Sequence, residues 1–212
     1  MPYKMTAPAI DPRLQSLEEL RWHIGNTPLH SLIRLSPKPG VKILAKLEWQ
    51  QFGGSVKARP AFNIIHDAVV SGALRGKRLL DASSGNTGIA YAIFAAAAGI
   101  PVTLCLPENA TKERKHILTA LGVDLILTSP FEGTDGAQAE ARELVLKSPD
   151  KFCYVDQYRN EANWKAHYYG TGLEVYNETE GKITHFVAGL GTTGTFMGSG
   201  RRLKELNPDI RL

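Results

Sequence analysis

From about residue 41 onward, short β-branched runs alternate with longer segments whose apolar residues recur at helical spacing, and this alternation narrows the possible folds more than any other feature. Val41–Trp49 reads as a strand. Over Lys57–Ser71, the residues Ala61, Ile64, Ile65, Ala68 and Val69 share one face at i, i+3, i+4 spacing, which predicts a helix. The pattern continues with strands over Arg78–Ala82, Pro101–Leu106, Val123–Thr128, Phe152–Val155 and Ile183–Ala188. Between and after them, helices are expected over Thr87–Ala98, Thr111–Leu121, Gly133–Lys147, Ala162–Thr179 and Thr195–Leu206, with Gly99 and Gly122 as left-handed stops. Strands that are almost continuously apolar are buried on both faces, so the units are βαβ and the sheets parallel, with helices on both sides. The fold class is α/β. Ile210–Leu212 reads as a strand just beginning; ending there would leave a sheet edge unpaired, so the expectation is a fragment or a short form that works with a partner.

Composition closes off several function classes. A hydrophobic fraction of 43%, a charged fraction of 22% and a net charge of +4 describe an ordinary globular chain. Its Lys and Arg residues are scattered rather than interleaved with aromatics, which argues against nucleic acid. The longest apolar stretch, Ile89–Ile100, falls well short of the roughly 20 residues a membrane span requires. Met1–Asp11 has no apolar core of signal-peptide length. Cys105 and Cys153 sit in separate strand-like runs, no disulfide framework and no metal site is indicated, and a reducing cytoplasm is the expected location.

Three segments carry chemistry. Asp81-Ala-Ser-Ser-Gly-Asn-Thr-Gly88 follows a strand and opens a helix, so the backbone N–H groups of Ser84 to Thr87 face the positive helix end. Helix capping by Ser84 or Asn86 needs one such side chain. Four polar side chains in five residues make a cup for a small anion such as a carboxylate. Gly189-Leu-Gly-Thr-Thr-Gly-Thr-Phe-Met-Gly198 is again strand, glycine- and threonine-rich turn, helix, and fits a phosphate. No Lys follows its last glycine, so it is not a Walker motif. Gly189, Gly191 and Gly194 satisfy the dinucleotide spacing G-x-G-x-x-G, a weak signal this far from the first strand. In Gly53-Gly-Ser-Val-Lys-Ala-Arg-Pro60, Ser55 is the expected N-cap and Lys57 lies in the first helical turn. The helix dipole disfavours a cation there, which suits a lysine whose amine works unprotonated as a Schiff-base former.

Other titratable and aromatic residues read as structural. His23, His30, His66, His116, His167 and His185 show no ligand spacing. Arg59 reads as a salt-bridge or helix-surface residue, and Trp22, Trp49 and Trp164 as core or domain-interface residues.

Taken together, the GGSVKxRP, SSGNTG and GTTGT segments, with Gly25-Asn-Thr-Pro-Leu29 ahead of them, resemble the fold-type-II pyridoxal-phosphate (PLP) enzymes over roughly residues 20–212. Within these the chain is most similar to the cysteine synthase family, and the GTTGT form with its Ala188-Gly-Leu-Gly lead-in resembles the cysteine synthase B branch of O-acetylserine or O-phosphoserine sulfhydrylases. The resemblance implies two open, twisted, mostly parallel sheets. Residues 1–50 and 161–212 would belong to a larger domain, here incomplete, and residues 51–160 to a smaller one, with the cofactor in the cleft between them. It implies Lys57 as the covalent PLP ligand and α-proton base, and Asn86 as partner of the ring hydroxyl. Ser83, Ser84, Thr87 and Gln157 would grip the substrate α-carboxylate, and Gly191, Thr192, Thr193, Gly194 and Thr195 would cradle the cofactor phosphate.

The implied reaction is β-replacement forming L-cysteine, with sulfide or a sulfur carrier as donor. The implied partners are a second copy of the chain and, for some members, serine acetyltransferase or a sulfur-carrier protein. Cystathionine β-synthase-like or serine/threonine dehydratase-like chemistry is the nearest alternative, and a non-catalytic binding paralogue another. A nicotinamide-binding domain gives Lys57 and SSGNTG no role. Ala58 stands where the family usually has Asp. The family also continues past residue 212 with a hydroxyl-bearing motif facing the pyridine nitrogen.

Overall fold

Asp11 opens the first helix, α1 (Pro12–Leu20), its carboxylate accepting the Arg13 amide at 3.0 Å with Pro12 in the first turn. The structure, a computed structural model, describes residues 11–36 and 38–212; most of the Met1–Asp11 segment discussed above lies outside them. Helix α1 has a single buried residue, Leu17, too weak an apolar stripe to stand out in the sequence. Strands β1 (Leu29–Ser31) and β2 (Leu44–Lys46) pair antiparallel. The expected Val41–Trp49 strand is thus reduced to its centre. It gives way to a 3₁₀ turn at Glu48–Gln50, where the Glu48 carboxylate is held by Arg59 at 2.8 Å.

Helix α2 (Ala58–Val70) is amphipathic as its spacing demands, with Ala61, Ile64, Ile65, Ala68 and Val69 all buried. Then follow β3 (Arg78–Ala82), α3 (Asn86–Ala97), β4 (Val102–Pro107), α4 (Lys112–Ala120), β5 (Asp124–Thr128), α5 (Gly133–Lys147) and β6 (Phe152–Tyr154). Gly99 and Gly122 end α3 and α4 at φ 64° and 78°, conformations that cost any L-residue with a Cβ. The four strands form one all-parallel sheet in the order β5-β4-β3-β6.

Alternation along these strands sorts their side chains into two cores. Leu79, Val102, Leu104 and Leu106 pack with α2 and α3 on one face. Leu80, Ala82 and Cys105 pack against Ala137 and Ala141 of α5 on the other. The α/β architecture read from the sequence is the one that forms, and both faces are covered.

After β6 the expected single helix Ala162–Thr179 is interrupted. It becomes α6 (Glu161–Ala166), one wide π-helical turn at His167–Thr171, and α7 (Gly172–Glu178). Such turns cluster at functional sites because they re-aim a side chain without ending the helix. Helix α8 (Gly194–Leu206) lies across α6 and α7. Ile183–Ala188, expected as a strand, makes only a parallel bridge between His185 and Arg211. A strand needs a continuous ladder, and among the described residues no further neighbour reaches it; Val187 stays 90% exposed. Trp22 and Trp49 are likewise on the surface, at 87% and 65% exposure, which removes the core half of the expected core-or-interface reading for both.

A buried ion-pair network fastens the N-terminal segment to the helices. Arg59, 3% exposed, donates to Glu48 at 2.8 Å and 2.9 Å and to Glu174 at 2.6 Å and 2.7 Å, so it is the salt-bridge residue expected and not a helix-surface one. Lys46 adds bonds to Glu174 and Glu178 at 2.9 Å and 2.7 Å. Arg59→Ala would leave two partly buried carboxylates short of their partner, and about 3 kcal/mol of stability is expected to be lost in urea unfolding. A loss under about 1 kcal/mol would show the network to be no stronger than a surface pair. Burial alone would raise the Glu174 pKa, but Arg59 and Lys46 hold it down to about 2. Its contribution is therefore complete above the ordinary carboxylate value near 4.5 and disappears as pH falls through about 2.

Candidate active site

The Ser83–Gly88 turn stands at the carboxyl end of β3, where open parallel sheets place their ligands. Ser83 holds it together: its hydroxyl accepts the Gly88 amide at 2.9 Å and the Gly85 amide at 3.4 Å. The capping work thus falls to Ser83, not to Ser84 or Asn86. Gly88 is required for the close approach, because a Cβ there would lie 2.8 Å from Leu104 Cδ1 and 3.2 Å from the Ser83 carbonyl. Among the described residues, the side chains of Ser84, Asn86 and Thr87 have no hydrogen-bond partner in the protein, yet none is a sealed, unsatisfied group. They are free for a ligand at the head of α3.

Gln157 closes the cup from the loop after β6. Its side-chain amide donates to the Ala82 carbonyl at 3.0 Å and its backbone amide to Asp81 Oδ2 at 3.3 Å. One of its side-chain N–H bonds is therefore committed to the fold, and the other is left to donate to an anion.

The Gly189–Gly198 turn enters α8 through Thr193, which takes a left-handed conformation at φ 67°. Space above Gly189 and Gly191 is open, since a Cβ on either would meet nothing within 4 Å. Thr192 Oγ1 accepts Asn163 Nδ2 at 2.9 Å and the Gly194 amide at 3.4 Å. A cavity of about 230 Å³ lies beside this turn, lined in part by Asn160, Asn163, Trp164, Thr192 and Thr193. Thr195 Oγ1 faces His167 Nε2 at 3.3 Å, and His167 Nδ1 faces Thr171 Oγ1 at 2.9 Å across the π turn. Burial pushes the His167 pKa down to about 3, helped by the charges of Arg59 and Lys57, so the imidazole is neutral.

Lys57 occupies the N-cap position of α2, one step before the expected first turn. Its amide donates to Ser55 Oγ at 3.3 Å, so Ser55 shapes the bend without capping the helix. Burial lowers the pKa of its ammonium, as a nucleophilic amine requires. Helix α2, which carries it, packs on both α3 and α6. A depressed amine, free hydroxyls and amides at one helix head, and an open glycine-lined turn at another fit a phosphorylated aldehyde cofactor.

His167 and Asn163 lie outside the motifs, and Asp81, which opens one of them, was given no role of its own. Asp81, buried beneath the cup, accepts the Ala82 amide at 2.8 Å besides that of Gln157. Burial raises its pKa to about 7 against 3.8 for a free carboxyl. The folded state therefore holds this proton more tightly than the unfolded chain. The stabilisation is complete below pH 3.8 and is lost as pH rises through about 7. Asp81→Asn is expected to flatten the fall in melting temperature between pH 5 and pH 8; an unchanged slope would assign that fall to other groups.

The profile of the family described as "Pyridoxal-phosphate dependent enzyme" matches residues 20–212. Among curated proteins, a cysteine synthase of Aquifex aeolicus is 52% identical over 206 residues, covering 95% of this chain and 63% of its own length. Cysteine synthase B of Pseudomonas aeruginosa is 46% identical over 190 residues, covering 89% and 63%. Among solved structures, a cysteine synthase of Entamoeba histolytica superposes with a TM-score of 0.84 at 33% identity, covering all of this chain and 63% of its own. The chain thus spans just under two thirds of the length of these relatives.

Proposed function

The chain belongs to the pyridoxal-phosphate dependent enzyme family, and from that membership we propose that the full protein makes L-cysteine by β-replacement, exchanging the acetate or phosphate of an O-activated L-serine for sulfide. The observation that carries the reading is the connected arrangement of Lys57 with two anion cups. Its depressed amine stands at the head of α2, which packs on both α3 and α6, and the SSGNTG cup is linked to the turn of Thr192–Thr195 through Gln157 and Asn163. Relatives named cysteine synthase at 46–52% identity support it.

Bound PLP would supply an electron sink for the substrate's α-carbon. Lys57 would hold the cofactor through its amine, and that amine, when free, would take the substrate's α-proton. The chemistry this would allow is loss of acetate or phosphate from the β-carbon, driven by the electron pair of that C–H bond. Hydrosulfide would form the new C–S bond, and the Lys57 ammonium would return its proton to the α-carbon. Ser83, Ser84, Thr87 and Gln157 would orient the carboxylate, and Asn86 the cofactor ring. The amides and hydroxyls of Gly191, Thr192, Thr193, Gly194 and Thr195 would hold the phosphate at the α8 N-terminus.

The same reading divides the chain into a smaller domain over residues 51–160 and parts of a larger one over 1–50 and 161–212. It places the protein in the cytoplasm, in keeping with the free thiols Cys105 and Cys153. It also includes a homodimer, for which Trp22, Ile33 and Leu35 leave large apolar side chains exposed. Docking to serine acetyltransferase or a sulfur-carrier protein belongs to it as well.

The test is product analysis of the full-length protein with PLP, sulfide and either O-acetylserine or O-phosphoserine. Cysteine is the expected product. Turnover only of serine with homocysteine, or of serine to a keto acid, would replace this reading with a lyase of the same fold, and no turnover at all would favour a binding protein.

A further inference from the structure

Asn163 sits in the first turns of α6 without capping it, because Asn160 already accepts the Ala162 amide at 3.0 Å. Asparagine is a poor helix residue and costly to bury, yet Asn163 is only 5% exposed. Its Nδ2 group is spent on two different loops: it donates to the Gln157 carbonyl at 2.7 Å and to Thr192 Oγ1 at 2.9 Å. The opposite edge of the same amide carries the α8 turn, since a Cβ on Gly194 would lie 2.0 Å from Asn163 Oδ1. Beyond Gln157 the chain of bonds continues to Ala82 and Asp81 at the foot of the SSGNTG cup.

We infer that Asn163 is a positioning residue that locks the Gln157 loop to the Thr192 turn, so that the carboxylate cup and the phosphate cup are held in one fixed relation. The inference rests on the proposed function and adds to it the element that sets the distance between its two anions. One amide bridging two loops transmits displacement in both directions. Thr192, receiving bonds from Asn163 and Gly194, keeps its own hydroxyl proton for a ligand. Without the bridge each loop retains its local bonds and loses its registration against the other.

The test uses the full-length protein and two pairs of probes read by the visible absorbance of the bound ring. PLP against pyridoxal isolates the phosphate turn, and L-alanine against L-alaninamide isolates the carboxylate cup. In Asn163→Ala both preferences, for PLP and for L-alanine, are expected to fall about tenfold, the scale of one lost buried hydrogen bond. Affinities for pyridoxal and L-alaninamide should hold. Asn163→Ser, smaller but polar and too short to bridge, gives the same pattern and decides the matter if the alanine variant does not fold. A purely structural role would weaken all four probes alike and overturn the inference. So would unchanged preferences in a folded variant, or the fall of only one, which marks a local contact rather than a lock. A wild-type protein that takes up PLP on Lys57 while the variants behave normally removes this inference alone. One that never takes up PLP removes the proposed function and this inference with it.

Discussion

In full-length protein carrying Lys57→Ala, borohydride is expected to trap no cofactor on the chain, and turnover to fall by about 10³-fold or more. The lower part of that loss corresponds to a positioned proton-transfer group, which alone contributes about 10²–10⁴-fold. Loss of covalent attachment adds to it. Lys57→Arg should be equally inactive, because a guanidinium stays protonated at every working pH and can neither attack an aldehyde nor take a proton. The expectation follows from where Lys57 sits: at the head of α2, partly buried, with no carboxylate bonded to it to stabilise its charge. Turnover within tenfold of wild type in either variant would move the chemistry to another residue.

Gly198→Ala should be the most damaging small change outside the chemistry. Helix α8 crosses α6 and the π turn so closely that a Cβ at 198 would lie 2.1 Å from the Trp164 carbonyl oxygen and 2.8 Å from His167 Cβ. A backbone carbonyl cannot rotate away, so the helices must separate. We expect about 4 kcal/mol of destabilisation, above the usual overpacking cost, and a melting temperature lower by roughly 10 °C. Gly200→Ala is the control. Its Cβ would meet the mobile end of Leu212 at 2.8 Å, so about 1 kcal/mol should suffice. Equal stability of the two variants would disprove the tight crossing.

Much of this fold was legible because the central strands Arg78–Ala82 and Val102–Pro107 are short apolar runs buried on two faces, and the helices α3 and α4 carry glycine stops. Gly133–Lys147 and Arg78–Ala82 form over the very residues that periodicity gives them. Long-range causes were invisible. The shortening of Val41–Trp49 comes from Glu48 turning toward Arg59, a partner that no local pattern supplies. Ile183–Ala188 has strand composition but lacks a ladder among the described residues, and composition cannot report a missing neighbour. In the candidate site, the motifs pointed to the turns at the heads of α3 and α8, since clustered hydroxyls and glycines are conspicuous. Asn163, His167 and Asp81 support those turns from behind, and single buried polar residues have no signature in sequence. The spacing of His167 and Thr171 on one helical face was the one available hint.

Every strand of the parallel sheet, and the Gln157 loop that closes the cup, lies between residues 78 and 157. During synthesis, this contiguous stretch emerges before the Gly189–Gly198 turn exists. Its sheet and both of its cores need nothing translated later except α6 to complete their packing. The nascent chain can therefore set its Ser83–Gly88 turn first and dock α8 afterward, with Gln157 and Asn163 as the seam between the earlier and later segments.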